Sequence, residues 1–138
     1  MSKKTHKEAI DVIRKHADIA RKNGLRTPEY IDIKIDNLNT NAYGLWHFGR
    51  NLMEINERDK GDWLDTVKHE FVHALQEYNG VERGHGTSFD EMSDKAGMGR
   101  LIGRPGGKPY HSQNNEGAGA IFALAVIVAM TAMIVHIL

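Results

Sequence analysis

The chain has 138 residues, which is enough for one small domain but not for two. It contains no cysteine, which excludes a disulfide framework and a thiolate metal site and fits a reducing compartment. Its 18 basic residues are balanced by 18 acidic ones, so no global electrostatic field would recruit nucleic acid or anionic lipid.

The N-terminal segment is charged and amphipathic and lacks the apolar stretch of an export signal. Thr5 and Glu8 have the spacing of a capping box, and apolar residues then recur at helical spacing as far as Asn23 and Gly24. This pattern predicts an N-terminal packing helix. Its basic residues could form a nucleic-acid-binding face, but the acidic residues among them favour an ordinary solvated surface.

Three strands are predicted next. Residues 30–38 alternate between apolar and charged side chains, which is the period of a half-buried strand. Residues 42–48 and 51–56, joined through Gly49 and Arg50, have the composition of two further strands. We expect the three to form a short antiparallel sheet beside the following helix. Trp46 and His47 are interpreted as ordinary strand residues.

The following helix contains a His-Glu-x-x-His sequence formed by His69, Glu70 and His73. Helical residues four apart lie on one face, so the two imidazoles can bind one zinc ion. Glu70 is rotated by about 100° from His69, so its carboxylate can reach a water on the metal without binding the metal. Asp62 can cap the start of this helix and Gly80 can end it, and the apolar stripe runs beside the histidines. This context favours a metal site over a chance match.

A peptidase zinc usually has three protein ligands and keeps a fourth position for water. The best third ligand is His85, because the glycines on either side of it allow the loop to fold back towards the helix. Glu77 lies about 12 Å along the helix axis from His69, which is too far to share one ion. Two weaker candidates are Glu82 and Glu91.

A second, shorter helix is predicted after this loop, with Ser88 and Glu91 as its capping box and Gly97 near its end. Its expected role is to hold His85 in place. Metal-bound histidines normally donate their other N–H group to an acceptor. Asp90, Glu91 and Asp94 are candidates for that acceptor, although a plain surface role is favoured for each one singly.

The residues His69-Glu70-Phe71-Val72-His73-Ala74, followed by His85-Gly86-Thr87-Ser88-Phe89, resemble the HExxH…HGxxF signature of the SprT-like family of zinc metallopeptidases. The resemblance covers the chain from about Glu29 to Gly97. It implies a small zincin-like α+β domain that binds Zn²⁺ through the three histidines and uses Glu70 as general base. In such peptidases a strand edge near the metal holds the substrate in extended form, and residues 43–48 are the expected edge.

The C-terminal part of the sequence differs in character. Residues 103–116 have the Gly, Pro and polar composition of a flexible linker after a peptidase domain at residues 1–102. Residues 117–138 carry no charged side chain and predict a transmembrane helix, since so small a domain could hardly surround such an element as a core helix. Three basic residues precede the predicted transmembrane helix: Arg100, Arg104 and Lys108. By the positive-inside rule, this bias predicts that the catalytic domain lies on the cytoplasmic side.

The predicted function is that of a membrane-anchored, single-pass zinc endopeptidase that hydrolyses protein or peptide substrates. A further donor to the developing oxyanion is expected, with Tyr43, Tyr78 and Tyr110 as candidates. Some SprT-like relatives cleave proteins crosslinked to DNA, but the chain shows no basic module beyond the zinc domain and a nucleic-acid partner is not expected. Two alternatives are a non-catalytic zinc-binding adaptor on the same scaffold and a small membrane-active protein that acts through its tail. No sequence feature specifies an oligomeric state.

Overall fold

The computed structural model of the chain describes residues 3–39, 41–58 and 62–99. In chain order these residues form helix α1 (His6–Lys22), strands β1 (Asp32–Asp36), β2 (Gly44–His47) and β3 (Leu52–Asn56), and helices α2 (Trp63–Tyr78) and α3 (Thr87–Lys95). The predicted α+β class is confirmed, as is the order of these elements. The predicted linker at 103–116 and the predicted transmembrane helix at 117–138 lie outside the described residues. None of the helices within the described ranges has the length and hydrophobicity needed to span a bilayer.

The two long helices begin at the caps that the sequence predicts. The Thr5 hydroxyl accepts a hydrogen bond from the Glu8 backbone N–H at 3.2 Å and donates one to the Glu8 carboxylate at 2.8 Å. Asp62 caps α2 by accepting from the backbone N–H of Leu64 at 3.1 Å. Both caps satisfy an amide that the first helical turn leaves without a partner in the helix.

The sheet corrects one prediction. Its strand order is β1-β3-β2, with β2 antiparallel and β1 parallel to β3. A wholly antiparallel sheet was therefore the wrong prediction, although the β2–β3 hairpin is antiparallel as expected. The order follows from burial: Met53 and Ile55 of β3 are fully buried, so β3 takes the centre, while β1, which alternates with charged residues, takes an edge.

Helix α2 is the central element of the domain. It packs against α1, α3, β2 and β3, and every residue from Glu70 to Tyr78 is buried. Its apolar side chains Phe71 and Leu75 are among the largest fully buried groups of the core. Burying a side chain of that size contributes about 1.5–3 kcal/mol. This packing fixes α2 firmly enough to hold functional side chains.

Helices α1 and α3 are joined by a buried histidine. The Nδ1–H of His16 donates to the carbonyl oxygen of Ala96 at 2.8 Å, because a carbonyl can only accept. His16 is 5% exposed. Burial lowers the pKa of this imidazole, although its hydrogen bond to Ala96 acts in the opposite direction. Folding therefore favours the neutral form of His16.

We expect the free energy of unfolding of the full chain to fall as the pH drops below about 6.5, the ordinary pKa of histidine. Since the pKa of His16 is lowered in the folded state, the unfolded state binds the proton more readily, and stability present above that pH is lost below it. This one group contributes a slope of at most ~1.4 kcal/mol per pH unit. Denaturant unfolding of the wild type and of His16→Gln across this range measures the difference, and equal slopes in the two proteins would contradict the assignment.

Candidate metal centre

Three imidazoles converge beside α2. The Nε2 atom of His85 lies 2.9 Å from Nε2 of His69 and 3.2 Å from Nε2 of His73. The three ligand atoms all lie within 4.8 Å of one another. The structure thus brings together the three histidines that the sequence predicts, and they are close enough to hold one metal ion.

The arrangement of nitrogen atoms fits a cation better than a hydrogen-bond network. An imidazole nitrogen has a single in-plane direction, which holds either a proton or a lone pair. The Nε2 atom of His85 therefore cannot make two separate linear hydrogen bonds to its two neighbours. Tetrahedral zinc with Zn–N bonds of 2.0–2.1 Å separates its ligand nitrogens by about 3.3 Å, close to the spacing here. Imidazole ligands suit Zn, Cu, Fe or Ni, so the donor set fits a divalent transition metal.

The site is open to solvent on one side. His73 is 4% exposed, His69 is half-buried, and His85 in the loop before α3 is exposed. The first two ligands are thus held by the packed helix, and the third faces the solvent. The candidate site is therefore accessible to solvent from the side of His85.

Gln76 fixes the chemical form of His73. Its amide N–H group donates to the carbonyl oxygen of Gly84 at 2.9 Å, which orients the amide oxygen towards His73. That oxygen lies 2.8 Å from Nδ1 of His73, so Nδ1 carries the proton and donates it. The lone pair of His73 is then on Nε2, the atom that faces the other two histidines. Gln76 therefore favours the tautomer of His73 that a metal ion at this site would require.

The same hydrogen bonds hold the loop that carries His85. Gln76 also donates to the hydroxyl of Ser88 at 3.1 Å, and that hydroxyl donates to the carbonyl oxygen of Glu82. The predicted capping box of Ser88 is wrong, since α3 starts at Thr87 after Gly86 and has no side-chain cap. The Ser88 hydroxyl is engaged with the loop instead. For His73, the predicted carboxylate acceptor on α3 is replaced by the amide of Gln76.

Phe89 supports all three imidazoles. The centroid of its ring lies 4.9 Å from that of His69, 5.3 Å from that of His73 and 5.1 Å from that of His85. It is 2% exposed and lies in the first turn of α3. Aromatic contacts at these distances restrict the ring orientations of the ligands. Helix α3 thus contacts His85 through Phe89, which is consistent with its predicted role in holding His85 in place.

Glu70 is fully buried on the side of α2 that faces the sheet. Strand β2 approaches it through Gly44, where a side-chain carbon would lie 2.7 Å from Cγ2 of Thr66, 3.0 Å from Cγ of Glu70 and 3.2 Å from its Oε1. Only glycine allows the strand to come this close. The sequence reasoning missed Gly44, whose importance depends on a contact between distant parts of the chain.

The other candidates named from the sequence have separate roles. The carboxylate of Glu77 accepts a hydrogen bond from Nε1 of Trp46 at 2.9 Å, and the Tyr78 hydroxyl donates to Asn51 Oδ1 at 2.6 Å. His47 lies 2.6 Å from the carboxylate of Glu54 on the neighbouring strand. Among the predicted tyrosines, Tyr110 lies outside the described residues.

In comparisons with family models, curated proteins and solved structures, no match to the chain was found. The interpretation of the site therefore depends on its own geometry and on the sequence pattern. SprT-like membership stays a prediction.

We expect Gly44→Ala to destabilise the full chain by ~1–3 kcal/mol, because the added methyl group would press against Thr66 and Glu70. Gly86→Ala is the matched control, since nothing lies within 4 Å of a side-chain carbon there. Its backbone at φ −87° also accepts alanine. Denaturant unfolding measures both variants, and an equally small loss in the two would show that β2 is not closely packed on α2.

We expect Gln76→Leu to weaken zinc binding by about 10–100-fold, the usual effect of removing a hydrogen-bond partner of a ligand histidine. The loss follows because leucine lacks the amide oxygen that accepts the proton of Nδ1 of His73. Asp94→Asn tests the acceptor proposed on α3 and should leave the affinity unchanged, since Asp94 is exposed. Competition with a chelator measures the affinities, and the reverse ranking of the two variants would refute the role of Gln76.

Proposed function

We propose that the chain is a zinc-dependent endopeptidase of the SprT-like type. His69, His73 and His85 are its zinc ligands and Glu70 is its general base. The observation that carries the proposal is the convergence of three Nε2 atoms beside a helix in which a fully buried glutamate directly follows the first ligand. The anchoring of the domain by residues 117–138, on the cytoplasmic side of a membrane, is proposed from the sequence alone.

The chemistry divides between the ion and the protein. Zinc, when bound at such a site, lowers the pKa of its water towards about 7 and polarises the scissile carbonyl. Glu70 takes a proton from the attacking water and passes it to the leaving amine as the C–N bond breaks. The contact with Gly44 limits where the Glu70 carboxylate can move. Its burial strengthens the hydrogen bonds that it makes during the reaction.

Strand β2 is the surface that we propose for binding the substrate backbone. Within the described residues β2 pairs with β3 on one side only, and Gly44 brings it against Glu70. An extended peptide can add to the outer edge through main-chain hydrogen bonds. Such bonds involve no side chain of the peptide, which suits protein substrates of varied sequence.

We expect the wild type to bind one zinc ion and to cleave unfolded casein, and Glu70→Gln to bind zinc while losing cleavage by about 10²–10⁴-fold. The amide keeps the size of the side chain but cannot take the proton. Glu57→Gln, at an exposed position, is the matched control and should cleave like the wild type. The full chain is used in mild detergent, with metal analysis beside the cleavage assay.

Two results would decide against this function. Equal cleavage by the wild type and Glu70→Gln would remove Glu70 from the reaction. A wild type that binds zinc but cleaves nothing would favour the non-catalytic adaptor.

A further inference from the structure

One carboxylate joins α2 to the sheet at a single corner of the domain. Glu77 lies in the last turn of α2 and is 7% exposed. Its Oε2 accepts a hydrogen bond from Nε1 of Trp46 in β2 at 2.9 Å, and its Oε1 accepts one from the backbone N–H of Gly49 in the turn that follows β2. Glu77 therefore holds both the strand and the turn.

The next residue of the helix holds the same turn from its other end. The Tyr78 hydroxyl donates to Oδ1 of Asn51 at 2.6 Å. Asn51 has a positive φ of 48°, a conformation that few residues adopt without support. The turn between β2 and β3 is thus attached to α2 at Gly49 and at Asn51.

The corner also includes the loop that carries His85. The guanidinium carbon of Arg83 lies 3.5 Å from the centre of the Phe48 ring, and the Phe48 centroid lies 6.4 Å from that of His73. The charges of Arg83 and Glu77 act on each other. The end of β2, the end of α2 and the metal-binding loop therefore meet at one place.

Stability alone explains this arrangement poorly. Burial raises the pKa of Glu77, while the hydrogen bonds from Gly49 and Trp46 and the charge of Arg83 act in the opposite direction. A buried ionic group is costly to desolvate, and apolar residues of similar volume often stabilise a core at least as well. A carboxylate with two directed donors instead fixes where the strand lies relative to the helix.

We propose that Glu77 is a positioning residue that sets the distance between the outer edge of β2 and the metal ligands. His73 and Glu77 are four residues apart, so the same face of one helix carries both the ligand and the link to β2. A substrate strand paired with β2 is then delivered to the metal at a fixed distance. This inference depends on the proposed peptidase function.

The test compares molecules that pair with β2, namely an extended peptide and a peptide hydroxamate, with acetohydroxamate, which is too small to reach β2. In Glu77→Gln, the amide oxygen can accept from only one of the two donors, and the amide N–H group faces the other. We expect this variant to raise KM for an extended peptide by about tenfold, the size of one lost hydrogen bond to a charged group, with kcat changed less than about twofold. The affinity for a peptide hydroxamate should fall equally, whereas zinc affinity and acetohydroxamate affinity should stay as in the wild type.

Two further variants make the result specific. Trp46→Phe keeps the ring packing and removes only one donor, so its KM should rise in the same direction by a smaller factor. Glu57→Gln repeats the amide substitution at an exposed site and should leave every constant unchanged. Circular dichroism verifies that each variant is folded at the assay temperature.

Three outcomes would overturn the inference. An unchanged KM in Glu77→Gln would show that the link does not position substrate. Joint loss of zinc, acetohydroxamate and peptide binding would make Glu77 a purely structural residue. A wild type that neither cleaves peptides nor binds either hydroxamate would remove the proposed function, and this inference with it, a result distinct from the other two.

Discussion

The domain depends on the burial of helix α2. Because the helix is enclosed by α1, α3 and two strands from Glu70 onwards, its side chains cannot reorient independently. Because of the helical period, the side chains on each face of α2 have a different environment. One face presents two histidines to the loop, and another packs Phe71 and Leu75 into the core. Without this enclosure the three ligand nitrogens would have no common centre.

The second half of α2 carries more buried polar groups than packing requires. Glu70, His73, Gln76 and Glu77 are all at most 7% exposed within two turns of helix. A fold optimised only for stability would place apolar residues there, since buried polar groups must be satisfied at some cost. Two of these residues have contacts that order the site: Gln76 orients His73, and Glu77 links the helix to the strand beside the site.

Local signals in the sequence were sufficient for the helices and for the three histidines that the structure brings together. The caps at Thr5 and Asp62 and the spacing of His69 and His73 operate within a few residues, so the sequence pattern and the structure agree. Gln76 could also have been found, because it is a polar residue one helical turn beyond His73 in an otherwise apolar stretch.

What the sequence did not predict depends on contacts between distant segments. The central place of β3 follows from the total burial of Met53 and Ile55, which becomes visible only once the helices cover the sheet. The role of Ser88 depends on how the loop folds back onto Gln76, and a capping pattern alone cannot reveal it. The contacts of Glu77 with Trp46 and of Gly44 with Glu70 likewise require the strand order.

The bare backbone at Gly44 has a consequence for recognising distant relatives. Since a larger residue would press against the helix, this architecture favours a glycine where the strand crosses the glutamate of the His-Glu-x-x-His sequence. Pairing that distant glycine with the short motif gives a stricter signature than the motif alone. It would separate chains with the same strand-on-helix contact from those that match three letters by chance.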